Sequence, residues 1–197
     1  MTVIDNITTV VGLIVFVYLC YRVGLIINRV KHWRYTRAWQ PLVGVIKGTV
    51  HEDPQGGGAS SYLVGEWKGH AIHARMSPHV TTYGSTVREN RFSVSIPDVD
   101  GPASWNTVNF PSLRITSDDM SLAARLRDAG VMELLHNAGS FDVGFEHHSR
   151  CLIVNEIVTP LWAPPPERFV VLLDLAVDLA RVQRDLNVMP SARVGEK

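Results

Sequence analysis

Residues 7–27, ITTVVGLIVFVYLCYRVGLII, form an apolar run broken by a single charge, Arg22. As a helix rising 1.5 Å per residue the run is about 31 Å long, enough to cross a hydrocarbon core of roughly 30 Å. The pattern therefore predicts one transmembrane helix. A cleaved signal peptide would carry bases ahead of its apolar run and small residues after it. Here Asp5 and Asn6 precede the run and NRVKHWRYTR follows it. Helical character continues to Trp39. Gln40-Pro41 is expected to end the helix, because the residue before a proline is pushed out of the α region.

From Leu42 the pattern turns from helical to alternating, VGVIKGTVH, and then into the glycine-rich run EDPQGGGAS. The alternating segments SYLVGEW and HAIHARM are separated by Lys68-Gly69, a two-residue connection that closes a β-hairpin. RFSVSI, SWNTVNF and LRIT continue the alternation, so about six short antiparallel strands form a meander. Ser117 is placed to cap the helix DDMSLAARLRDA, with Asp118 and Asp119 in its first turn, and Gly130 ends or interrupts it before VMELLHN. A second hairpin pairs FDVGFE with CLIVNEIV around His147 to Arg150. Proline-rich residues 160–166 then lead into a final helix over residues 167–187, since proline suits a first helical turn. The order is membrane helix, β-meander, helix, hairpin and long helix. That is an α+β fold, with helices on one face or end of an antiparallel sheet. The division is residues 1–41 as membrane helix with a basic extension, 42–188 as one α+β domain, and 189–197 as a tail.

Charge refines this picture. The chain of 197 residues has 19 bases and 19 acids, but Arg22, Arg29, Lys31, Arg34 and Arg37 cluster where no acid stands between Asp5 and Glu52. Taking these five from the bases and Asp5 from the acids leaves 14 bases against 18 acids from Leu42 onward. An acidic domain argues against nucleic-acid binding, which needs a basic surface to neutralise phosphates. Bases on the C-terminal flank of the span predict the segment before it outside and the domain in the cytoplasm. Cys20 and Cys151, far apart in sequence, suit a reducing compartment. Arg22, Arg29, Lys31, Trp33, Arg34, Tyr35, Arg37 and Trp39 are the expected membrane-interface residues, with aromatic rings at headgroup level and a basic helix against anionic lipids. Arg22 is expected to snorkel toward the headgroups.

The last helix carries a narrow polar stripe, Asp174, Asp178, Arg181 and Asp185, within an otherwise apolar circumference. Such a helix is buried on more than one side. It sits between the sheet and another element of its own domain, or its outer face meets a partner. Trp162, Phe169, Val170, Leu173 and Val177 are the candidate partner interface. Asp174 and Asp178 read first as a solvated pair partnered by Arg181. His70 and His73, three apart on a strand, face opposite sides and cannot share one metal ion. Gly56, Gly57 and Gly58 lack the lysine and context of a phosphate loop, and no nucleophile motif surrounds either cysteine. No catalytic residue, metal or cofactor is expected.

The run GEWKGHAIHAR, then ITSDDMSLAARLRDAG, the FDVGFE/CLIVNEIV hairpin and a long terminal helix resemble a pattern in uncharacterised bacterial single-pass membrane proteins. Their domains are distantly similar to β-sheet modules of pleckstrin-homology type. The resemblance implies a bacterial inner-membrane protein with a cytoplasmic domain and supplies no functional residue. The expected role is a non-catalytic accessory subunit that stabilises or links other integral membrane subunits of a larger complex, photosynthetic first and respiratory second. The alternative is a membrane-tethered module that binds lipid or protein.

Overall fold

The computed structural model describes residues 3–52, 61–79, 89–108, 112–139, 142–158 and 163–188. Helix α1 spans Val3–Ile46. The strands that follow are β1 (Thr49–Glu52), β2 (Ser61–Trp67), β3 (His70–His79), β4 (Glu89–Ile96), β5 (Trp105–Val108) and β6 (Arg114–Ser117). Helices α2 (Met120–Asp128) and α3 (Val131–Ala138), the hairpin β7 (Asp142–Glu146) and β8 (Cys151–Val158), and α4 (Pro166–Val188) complete the chain. The α+β class, the apolar first helix and the long last helix stand as the sequence predicts.

The strands form one antiparallel sheet in the order β1-β2-β3-β4-β8-β7-β5-β6. Its residues alternate strictly between two faces. Leu63, Ile72, Ala74, Met76, Phe92, Val94, Ile96, Trp105, Ile115, Val143, Phe145, Leu152 and Val154 point to the buried face. Helix α4 lies across β4 and β8 on this face, α1 ends over β1 and β2, and α2 packs near β6. On the opposite face, pairing aligns a row through Thr116, Asn106, Gly144, Ile153, Ser95, His73, Val64 and Thr49. That row crosses all eight strands, and its described side chains are exposed or half-buried. The hairpin at Lys68-Gly69 has φ of 48° and 81°, the left-handed pair a tight two-residue turn requires.

Two local expectations change. Helix α1 does not stop at Pro41 but runs one further turn to Ile46. Proline lacks the N–H that would bond the Arg37 carbonyl, yet the extra turn buries Leu42 and Ile46, which offsets that loss. Gly65 makes room for it, since a Cβ there would stand 2.6 Å from the Ile46 carbonyl oxygen. The turn closes with Lys47 at φ 48° and the Gly48 N–H donating to the Val43 carbonyl at 3.1 Å, a Schellman stop. The second change is the α2 cap, which is Asp119 rather than Ser117. Its carboxylate accepts from the Ser121 and Leu122 amides at 2.8 and 3.3 Å. The Ser121 hydroxyl and amide hold the Asp119 carboxyl below its ordinary pKa. Ser117 donates to the Ser104 carbonyl at 2.6 Å instead.

Polar bonds pin α4 along its length. Trp67 Nε1–H donates to Asp174 at 2.7 Å, and Trp105 Nε1–H donates to Gln183 Oε1 at 2.7 Å. Near its start, Arg168 donates to Glu156 at 2.9 Å and to the Ala138 carbonyl at 2.8 Å. The core's aromatic chain runs from Trp39 to Phe92 at 5.6 Å and from Phe92 to Phe169 at 5.8 Å. It joins α1, β4 and α4, and aromatic pairs at such spacings add to the area they bury.

Candidate functional site

The window Val10–Ile27 in α1 is long and apolar enough to cross a membrane, and none of it is buried within the chain. Its large apolar side chains are 44% to 63% exposed. Exposed apolar surface of this extent calls for cover from lipid or from another protein. Helical hydrogen bonds satisfy the backbone groups within the segment, and leucine, isoleucine and valine clothe it in apolar surface, the combination that hydrocarbon requires. Arg22 is the one charge in the window, and its guanidinium lies over the Tyr18 ring, 6.0 Å from the centroid. Beyond the span, Arg37 covers the Trp33 ring at 5.2 Å.

The expected interface residues fall into three groups. Arg22, Arg29, Trp33 and Arg37 are exposed along α1. Lys31, Arg34 and Tyr35 lie on the same helix, but their side chains are outside the described set, as is that of His32. Trp39 is a correction: it is fully buried, packed on Phe92, and belongs to the domain's core rather than to a headgroup belt. The reason is helical phase. Trp39, Leu42 and Ile46 are spaced three and four apart, so they form one apolar stripe that the sheet covers. The basic segment continues the helix of the span, and α1 passes unbroken from span to core.

The candidate partner interface on α4 also changes. Phe169, Leu173 and Val177 are fully buried within the chain, and Val170 is half-buried. Of the two arrangements the apolar circumference allowed, α4 takes the internal one, packed on the sheet at β4 and β8 and in contact with α1 and α3. Val171 stays 38% exposed on its outer side. Trp162 lies outside the described residues. The polar stripe divides its partners: Asp178 meets Arg181 at 3.3 Å, whereas Asp174 turns to Lys68 at 2.7 Å and Trp67. Partial burial acts to raise the Asp174 pKa, but the Lys68 and Trp67 hydrogen bonds and nearby positive charge leave it below its ordinary value.

His70 sits toward the α4 side of β3 and His73 on the open face, so the two point apart as their spacing requires. Burial, with Arg184 and Arg181 nearby, lowers the His70 pKa. Burial raises that of the Cys151 thiol. Among the described residues no three His, Cys, Asp or Glu side chains gather as metal ligands.

Sequence reasoning missed a shallow depression of about 620 Å³ on the open sheet face. Gly144 forms its floor, and Asn106, Thr116, Asp142, Glu146 and Asn155 stand around it. Asn155 accepts from Ser93 at 2.6 Å, and Asn106 from Thr116, so their amide oxygens are partly engaged within the sheet. Asp142 lies 3.9 Å from Arg91. The one signal in the sequence was a glycine inside the strand DVGFE, which leaves a gap between cross-strand neighbours. Comparison with protein-family models, curated proteins and solved structures gives no match to this chain.

Proposed function

We propose that this chain is a single-pass, non-catalytic accessory subunit of a membrane complex. Its first helix holds the α+β domain at a set height and rotation beside its partners. The observation that carries the reading is the unbroken passage of α1 from a fully exposed apolar span into the core at Trp39, Leu42 and Ile46. A protein needing only attachment gains nothing from burying the end of its anchor in the domain. Twelve residues from Ile27 to Trp39 set the domain about 18 Å beyond the span. The basic residues on this flank favour the cytoplasmic side of a bacterial inner membrane.

Purification of the full chain from its own membrane in mild detergent, with mass spectrometry of the fraction, tests the proposal. It should bring down integral membrane proteins in fixed ratio. Inserting two residues after Trp33 turns the domain by about 200° against the span and should dissolve that association, whereas seven residues restore nearly the same rotation but move the domain about 10 Å further out, and should weaken it through height alone. A wild-type chain that emerges alone overturns the reading.

A second reading, a tethered binding module, is favoured by the polar depression over Gly144. Gly144→Leu would place a side chain in that depression and obstruct it. Loss of a bound partner on this substitution, with the transmembrane association intact, would support it.

A further inference from the structure

Arg22 is set differently from an arginine that reaches the headgroups. Its Cα lies five residues, about 8 Å, before Ile27, the nearer end of the span. Side chains on a helix lean toward its N-terminus, which for Arg22 is toward the middle of the bilayer. The guanidinium follows that lean and sits over Tyr18. Tyr18 is eight residues from Val10 and nine from Ile27, the centre of the span. Snorkelling needs the opposite direction. Among the described residues the Tyr18 ring is the one close partner of this cation, and residues 10–27 contain no acid. Tyr18, Tyr21, Arg22 and Leu25 follow the i, i+3, i+4, i+7 pattern of a single helix face, and all four are exposed.

We propose that this face packs within the bilayer against a transmembrane helix of a different protein. That helix carries an Asp or Glu at mid-span depth, with Arg22 as its counter-charge and Tyr18 and Tyr21 beside the pair. The inference rests on the accessory-subunit reading and names the chemistry of the partner. Charge complementarity selects the occupant, because a cation in hydrocarbon is costly unless an opposite charge meets it there. A second copy does not serve: side by side in parallel it sets Arg22 against Arg22, and its span offers no carboxylate.

The experiment is quantitative co-purification of the full chain carrying Arg22→Leu, Arg22→Lys or Tyr18→Phe. Arg22→Leu should reduce recovery of the partner about tenfold or more while the chain stays in the membrane with its domain folded. Arg22→Lys should retain most of the partner, and Tyr18→Phe, which keeps the ring face, should retain nearly all. In the partner so identified, replacing a span carboxylate with leucine should reproduce the loss. Exchanging the two charges, Arg22→Asp here with arginine there, should restore association. A wild-type complex that survives Arg22→Leu unchanged overturns this inference alone and makes Arg22 a lipid anchor. A wild-type chain with no partner overturns the accessory reading as well.

Discussion

The two long helices are built from similar apolar residues and end in opposite environments. In α4, Phe169, Leu172, Leu173, Leu175, Ala176 and Val177 are buried by the sheet and by α1 and α3. In the outer part of α1, Leu13, Ile14, Phe16 and Val17 are covered by nothing in the chain. The polar residues differ in the same sense. Asp174, Gln183 and Arg168 on α4 each have partners inside the domain, whereas Arg22 on α1 has only the Tyr18 ring among the described residues. Apolar content alone therefore does not separate a core helix from one whose apolar surface the chain leaves uncovered. The separation lies in whether the polar residues of the helix find partners on other elements of the same chain.

The sharpest way to break the comparison is at the point where α1 changes from one environment to the other. Trp39→Ala removes a fully buried ring that bridges to Phe92 and should destabilise the domain by about 3–5 kcal/mol. Denaturant unfolding of the detergent-solubilised protein, followed by near-ultraviolet dichroism, measures it. A loss under about 1 kcal/mol would mean that the end of α1 is not part of the core.

On α4 the matching substitution is Gln183→Leu. It deprives Trp105 Nε1–H of its acceptor but also removes a buried Nε2 that has no partner among the described residues. These effects oppose each other, so the net loss should be only about 1 kcal/mol. Trp105→Phe should lower stability too, and the double substitution should cost less than the two singles together.

Lys47→Gly sharpens the comparison in the other direction. Lys47 occupies the left-handed region at φ 48° to stop α1, and glycine there should stabilise the domain by about 0.5–1 kcal/mol. The midpoint of thermal unfolding should rise, which locates the helix stop at Lys47 rather than at Pro41.

The smallest effect is expected from His70, which faces Arg181 and Arg184 of α4. Its pKa in the folded protein lies below the ordinary value of 6.5, so folding favours the neutral ring. That advantage is complete above about pH 6.5 and is lost as pH falls below it, because the unfolded chain then takes up the proton more readily. His70→Gln should flatten the decline in unfolding midpoint between pH 7 and 5 relative to wild type. An unchanged slope would show that other groups set it.

Much of this architecture was legible in the chain because its signals are local. Alternation in SYLVGEW and HAIHARM, with Lys68-Gly69 between them, specifies a hairpin from one contiguous stretch of sequence, and the structure pairs Trp67 with His70 directly across that turn. The span was legible for the same reason. What escaped was set by residues distant in sequence. Proline at position 41 looks like a stop, and only the cover that β2 and Gly65 give to Ile46 shows why the helix continues. Phe169, Leu173 and Val177 look the same whether a partner or the chain's own sheet covers them. The depression over Gly144 depends on β5, β7 and β8 lying side by side, an order the sequence does not spell out.

The absence of a joint between the span and the domain has a mechanical consequence. From Tyr18 at mid-span to Trp39 is 21 residues, or about 32 Å of helix. A rod of that length leaning by about 20°, as membrane helices commonly do, carries its far end sideways by roughly 11 Å. In the proposed membrane subunit, thinning or thickening of the bilayer, which changes that lean, would become a lateral displacement of the whole sheet.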